Sequence, residues 1–323
     1  MAITLAQALN TALHDAMEDD DKVVVFGEDV GILGGVFRIT DKLQERFGEQ
    51  RCFDTPLAES GIVGTAVGMA MYGYKPVVEM QFDGFTYPAY EQIVSHVAKM
   101  PNRSRGRVRL PMVIRIPFGG GIGAVEHHSE SPENYFAHTA GLKVVSPGTP
   151  SDAYSLLRES IESPDPVIFF EPKRRYWLKE DAELPVRTEP IGKAVIRRPG
   201  TTATLFAYGP MVRTCLEAAQ AAEEEGWDLE VVDLRSLNPF DTETAVESVR
   251  RTGRAIVVHE AIVFSGFGAE VAARVTERAF YSLEAPVLRV GGFDIPYPAA
   301  KLEEFFLPDV DRILDAVERS LSF

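Results

Sequence analysis

Short runs of core-type residues alternate with helical segments along this chain, and that alternation leaves few folds open. Val23-Val-Val-Phe26, Pro76-Val-Val-Glu-Met-Gln-Phe82, Pro111-Met-Val-Ile-Arg-Ile116, Lys143-Val-Val-Ser146 and Val167-Ile-Phe-Phe-Glu171 are too short for helices and apolar on successive positions. Strands apolar on both faces belong inside a sheet that is covered on each side. Between them the spacing predicts helices over 5–18, 40–47, 60–73, 87–100 and 151–162, the first opened by the capping-box spacing Thr4-Leu-Ala-Gln7. The alternation begins again after residue 200, with strands at 203–208, 229–233, 255–259 and 286–290 and helices at 211–225, 242–251, 268–281 and 310–321. The reading is α/β, two doubly wound domains over 1–180 and 201–323. Pro185, Pro190 and Pro199 punctuate 181–200, which reads as the linker.

Charge and cysteine usage narrow the partners. With 33 basic and 48 acidic residues the net charge is −15, which argues against nucleic acid or an anionic membrane and suits a basic protein partner. Cys52 and Cys215 are far apart and have no histidines at metal spacing, so neither a disulfide framework nor a zinc site is expected. The expectation is a soluble chain of a reducing cytoplasm, since the N-terminal residues do not read as a secretory leader and no apolar run reaches membrane-spanning length.

Three places hold residues able to do chemistry. Asp54-Thr-Pro-Leu-Ala-Glu59-Ser-Gly61 sets a carboxylate where a glycine-rich apolar helix begins, and ligands approach open α/β sheets at such junctions. On spacing alone Glu59 is either a capping or salt-bridged residue or a catalytic acid; Ser60 is a candidate cap, and Gly61, Gly64 and Gly68 would let the helix pack close to a neighbour. The loop Phe118-Gly-Gly-Gly-Ile-Gly123 leads to His127 and His128, which read either as solvated surface residues or as a general acid or base at a pocket rim. Among Phe82, Phe85, Tyr87 and Tyr90, Phe85 is the ring to stack on a planar ligand; Phe82 and Tyr90 read as core. His14, His96 and His259 read as structural. No Gly-x-Gly-x-x-Gly after a strand, Walker loop or Gly-x-Ser-x-Gly elbow is present, which weakens nicotinamide, nucleoside triphosphate and hydrolase readings.

Taken in order, Phe26-Gly-Glu-Asp-Val30, Gly34-Gly-Val-Phe-Arg38, Asp54-Thr-Pro-Leu-Ala-Glu59, Pro76 to Phe82, His128-Ser-Glu-Ser-Pro-Glu133, Phe136-Ala-His138, Phe169-Phe-Glu-Pro172 and Val232-Asp-Leu-Arg235 closely resemble the β subunit of the thiamine-diphosphate-dependent decarboxylase component of 2-oxo acid dehydrogenase complexes. The resemblance covers essentially the whole chain. It implies a pyrimidine-binding domain followed by a transketolase C-terminal-like domain, with the cofactor shared between two subunits. The α subunit of an α2β2 heterotetramer would hold the diphosphate and magnesium, for which this chain carries no Gly-Asp-Gly signature. By motif, Glu59 matches the glutamate on the pyrimidine ring nitrogen, whose shared proton favours the imino tautomer that activates the thiazolium carbon. Phe85 matches the stacking aromatic, Leu57 and Gln81 the pocket lining, and His128 the histidine that orients or protonates a lipoyl group. The pattern departs from the commonest one at His127 and at Ser129-Glu130, where an added carboxylate would favour a charged imidazole.

Ser131-Pro132-Glu133 and Phe136-Ala-His138 look more like branched-chain than pyruvate enzymes, with acetoin dehydrogenases as a third alternative. The implied partners are the α subunit, the 2-oxo acid, and the lipoyl and subunit-binding domains of a dihydrolipoyl acyltransferase, contacted near the C-terminus. A monovalent cation, potassium, near Met112, Ile114, Ser160 and Asp165 is implied by relatives only. The competing reading is a subunit used mainly for assembly, docking the decarboxylase to a basic subunit-binding domain.

Overall fold

The computed structural model describes residues 2–323. Its first half is a seven-stranded sheet whose strands, in spatial order, are Ser236–Asn238, Lys143–Val145, Val167–Pro172, Val113–Phe118, Lys75–Glu79, Val23–Gly27 and Cys52–Asp54. All pairs are parallel except the first, so the sequence expectation of a buried parallel sheet holds. The second sheet runs Leu288–Gly292, Ala255–Ile262, Ala203–Ala207, Leu229–Asp233 and Val195–Arg198, again parallel but for the last strand. Five strands go beyond the sequence reading: Cys52–Asp54, the antiparallel pair Ala2–Thr4 and Lys179–Asp181, and two that edge the large sheets. Of the last two, Val195–Arg198 lies inside the proline-marked stretch and edges the second sheet, while Ser236–Asn238 leaves the second half of the chain and pairs with Lys143–Val145. Both are antiparallel edge strands, short and without the continuous apolar runs that mark interior ones.

The helices follow their polarity patterns, with informative exceptions. Leu5–Asp19 has the full capping box, Thr4 Oγ1 accepting from Gln7 N and Gln7 Oε1 from Thr4 N. The helix expected over 40–47 shrinks to Leu43–Phe47. The segment expected as one helix over 87–100 is broken into Tyr90–Gln92, a π turn Ile93–Val97 and Met100–Arg103 after a 3-10 turn Asp83–Thr86. Such π turns recur at functional sites because they re-aim side chains. The glycine-rich helix is Glu59–Met71, yet its glycines make no unusually close approach within this chain. A Cβ at Gly68 would meet nothing within 4 Å, one at Gly61 only Ala58, at 3.8 Å, and one at Gly64 only Gln92 Oε1, at an ordinary 3.7 Å.

A continuous apolar core links the sheets, running from Val24, Phe26 and Ile114 through Phe118, Phe136 and Phe170 to Tyr208, Val232 and Phe267. Each such side chain contributes roughly 1.5–3 kcal/mol on burial. Charged locks cross the same boundary: Arg235, fully buried, donates Nε to Asp152 Oδ1 at 2.9 Å, and Arg197 bridges Asp152 and Asp233. No helix among the described residues is long and apolar enough to cross a membrane.

Candidate active site

Parallel strands bring their C-terminal ends to one edge, and there the chain gathers its carboxylates. Val23–Gly27 and Cys52–Asp54 lie side by side; the first runs into Glu28 and the second, through Thr55–Ala58, into the helix at Glu59. Ala58 is the N-cap and makes no side-chain cap bond; Glu59 is the first helical residue. Ser60 does not cap, since its hydroxyl donates to the Pro88 carbonyl oxygen. That bond ties the helix start to the turn carrying Phe85.

Glu59 is 5 % exposed and Glu28 is 6 % exposed. No hydrogen-bond partner in the chain reaches either carboxylate oxygen of Glu28, and Glu59 is close enough for its charge to act on it. A carboxyl so placed resists ionising beside a second one, because a low dielectric does not screen the two charges. Burial first, and the Glu59 charge second, push Glu28 up to about 7. Sequence reasoning quoted Glu28 within a motif but assigned it no part; only the parallel register places it against Glu59, with nothing in the local pattern to mark it.

Gln81 Nε2 donates to Asp29 Oδ2 at 2.9 Å, tying the end of the Lys75–Glu79 strand to the loop that carries Glu28. Leu57 is 71 % exposed and needs a covering surface from elsewhere to line any pocket. Beneath the loop Arg115 is fully buried between Glu79 Oε2 (2.8 Å) and Glu171 Oε1 (2.6 Å), with Tyr176 Oη also donating to Glu171. Burial raises Glu79 to about 7 despite Arg115.

The structure brings Phe85 and His128 together. His128 packs its ring 4.0 Å from the Phe82 centroid and 5.4 Å from that of Phe85, so Phe82 belongs to the site's aromatic cluster, while Tyr90 packs on Phe136 in the core. His128 ends the 3-10 turn Glu126–His128, and its Nδ1 is buried without a partner. Burial, then the neighbouring His127 and Lys173, lower its pKa below the ordinary imidazole value. The expectation of a charged imidazole is therefore corrected: the Glu130 carboxylate accepts from Tyr87 Oη at 2.6 Å instead of serving His128. His127 projects outward, its side chain 53 % exposed.

Other candidates have separate engagements. Ile114 lies within the sheet ladder, Met112 O accepts from Val167 N, Ser160 Oγ donates to Leu156 O, and the Asp165 carboxylate faces Arg109 and Lys143. Among the described residues no cluster of three or more His, Cys, Asp or Glu side chains is poised for a metal. His259 is buried with Nδ1 3.0 Å from Ala261 O, and burial lowers it to about 4. Glu133, also overlooked from sequence as a titrating group, accepts from Tyr208 Oη across the domain boundary and is raised by burial to about 7.

With the geometry in hand, comparison with known proteins is informative. Residues 1–177 match the transketolase pyrimidine binding domain and 192–313 the transketolase C-terminal domain. The chain is 56% identical over 321 residues (99% of it, 92% of the relative) to the 3-methyl-2-oxobutanoate dehydrogenase subunit beta of Mycobacterium tuberculosis (strain ATCC 25618 / H37Rv). It is 57% identical over 322 residues (100% and 96%) to the pyruvate dehydrogenase E1 component subunit beta of Leifsonia xyli subsp. xyli. A solved split-gene transketolase, an inactive beta4 tetramer, superposes with TM-score 0.80 at 26% identity, covering 99% of this chain and 98% of that one. A two-domain fold matched over both halves, and relatives matched nearly end to end, place this chain in the family of 2-oxo acid dehydrogenase β subunits.

Proposed function

We propose that the chain is the β subunit of the decarboxylase component of a branched-chain 2-oxo acid dehydrogenase complex, working in the cytoplasm as half of an α2β2 heterotetramer. The carrying observation is the buried Glu28–Glu59 carboxyl pair at the head of the Glu59–Met71 helix, tied by Ser60 to the turn bearing Phe85. These residues fit the aminopyrimidine of thiamine diphosphate. Glu28 has two carboxylate oxygens without a partner and is raised to about 7, and half-buried Phe85 lies on the segment that Ser60 ties to the helix start. Bound thiamine diphosphate supplies the electron-accepting carbon that decarboxylation of a 2-oxo acid requires.

The chain's own residues then have distinct tasks. Glu59 presents a proton to the pyrimidine ring nitrogen, and Glu28 keeps that proton in the pair near neutral pH. Phe85 offers a ring face, and Leu57 and Gln81 line the pocket. His128, kept neutral by burial, offers an imidazole to orient or protonate the lipoyl group of a dihydrolipoyl acyltransferase. Magnesium and the diphosphate fall to the α subunit, which also covers exposed Leu57. In this reading residues 1–180 form the pyrimidine-binding unit, 181–200 the connection and 201–323 the C-terminal unit.

Branched-chain specificity rests on Ser131-Pro132-Glu133 and Phe136-Ala-His138; the 56% and 57% relatives carry different substrate names, so pyruvate is the second reading. One methylene in an apolar pocket is worth about 1–3 kcal/mol, enough to separate them. The test is reconstitution with the α subunit and comparison of Glu59→Gln with the native chain on 3-methyl-2-oxobutanoate, pyruvate and acetoin. Native activity highest on the branched substrate, lost in Glu59→Gln, is expected. Unchanged decarboxylation in Glu59→Gln refutes the catalytic assignment, and a preference for pyruvate refutes the substrate.

A further inference from the structure

The histidine turn is gripped from two other elements. Lys173, which follows the strand Val167–Pro172, donates Nζ both to the His128 carbonyl oxygen and to Asp83 Oδ1. Asp83, which opens the turn Asp83–Thr86, accepts Glu130 N on its other oxygen at 2.9 Å. Both side chains of this ion pair are fully buried. The Lys173 ammonium also lies 5.5 Å from the Phe82 ring centroid, on the same ring against which His128 packs. At Gly84 a Cβ would come within 2.8 Å of His127 Cβ, so the two turns meet without room for a side chain.

A buried ion pair is a weak source of stability, since apolar residues of the same shape often serve as well. What it supplies here is direction. The three donors of the ammonium and the two acceptors of the carboxylate reach past each other to the His128 carbonyl oxygen and the Glu130 N–H, on either side of Ser129. We propose that the Lys173–Asp83 pair is a positioning device that fixes the turn bearing His128, keeping its imidazole packed against Phe82 and in place for the lipoyl group. This rests on the role proposed for His128.

The charged and titratable groups around His128 are His127 and Glu126 on its own turn, Lys173 from the sheet edge and Asp83 from the facing turn; Glu130 is engaged by Tyr87. Removing the pair takes away the anchor that keeps the ring packed. Loss of that burial moves the imidazole up toward its free value of about 6.5.

The test combines a titration that is independent of catalysis with an assay. The full chain labelled at histidine is titrated by NMR, with His128→Gln to assign the resonance, in the native form and in Lys173→Met/Asp83→Asn, which removes both charges together so that neither is stranded. The expected results are a His128 midpoint raised toward about 6.5 and, with the α subunit, lipoyl acylation reduced about 10- to 100-fold with its pH profile displaced alongside. A folded double variant with an unmoved His128 midpoint overturns the proposal, as does a moved midpoint with an undisplaced acylation profile. Failure of the underlying reading looks different: His128→Gln then acylates lipoyl groups at the native rate, whatever the titration shows.

Discussion

Replacing Glu28 with glutamine isolates the proton that the proposed Glu28–Glu59 pair shares. In the folded chain Glu28 titrates at about 7, against 4.5 for a free glutamate. Its folded-state value is the higher one, so between these limits the folded chain binds more protons than the unfolded chain, and stability falls as pH rises through that window. Each unit is worth ~1.4 kcal/mol, so the ceiling is about 3 kcal/mol by neutral pH, reduced by whatever water reaches the mouth of the site. Glutamine has no proton to lose and its amide can donate to Glu59. The two chains should therefore match near pH 4.5, and Glu28→Gln should become the more stable by about 1–3 kcal/mol above pH 7. The assay is denaturant unfolding of the full chain at half-unit steps from pH 4.5 to 8.5. Glu59→Gln leaves the burial that chiefly raises Glu28 but removes the charge that adds to it and supplies a donor, so it should lessen the same slope, and Glu28→Gln/Glu59→Gln should show none from Glu28. Parallel stability curves for native chain and Glu28→Gln across the whole range would refute the shared proton.

Further outcomes follow from the same geometry. Arg115→Met strands two buried carboxylates and should cost about 3–5 kcal/mol in denaturant unfolding, whereas Arg115→Met/Glu79→Gln/Glu171→Gln, with no charge left behind, should recover most of the loss. In the reconstituted heterotetramer, His128→Gln should lower lipoyl acylation about 100-fold or more and exposed His127→Gln about twofold or less, measured with a free lipoyl domain; the reverse order would exchange their roles. Gly84→Ala drives a methyl against the His127 turn and should cut lipoyl acylation about 10-fold. Buried Cys52, its thiol pushed up to about 12, should resist alkylation until the chain unfolds, read by mass spectrometry.

Period and punctuation carry the architecture in this sequence. Runs such as Val167-Ile-Phe-Phe-Glu171 are apolar without alternation because the strand is covered on both faces, and Val310–Leu321 is apolar on one face because its helix is covered on one side. Local rules also secured the Thr4 capping box. They failed where a partner distant in sequence decides the outcome. Ser60 had the chemistry of a cap but found the Pro88 carbonyl, and Glu130 had the charge to favour an imidazolium but found Tyr87. Ser236–Asn238 became a strand because an edge of the other sheet lay beside it.

For the site, the sequence by itself placed Glu59 where a strand turns into a helix and His128 after a glycine loop, and family resemblance supplied their roles. Only the tertiary structure brought Glu28 against Glu59, set His128 between Phe82 and Phe85, and fastened its turn with Lys173 and Asp83. The reason is physical. Periodicity reports which face of an element is buried, a property of neighbouring residues. The protonation state and aim of a catalytic group depend on charges and rings far along the chain: Lys173 lies 45 residues from His128 and 90 from its partner Asp83, separations that no local pattern encodes.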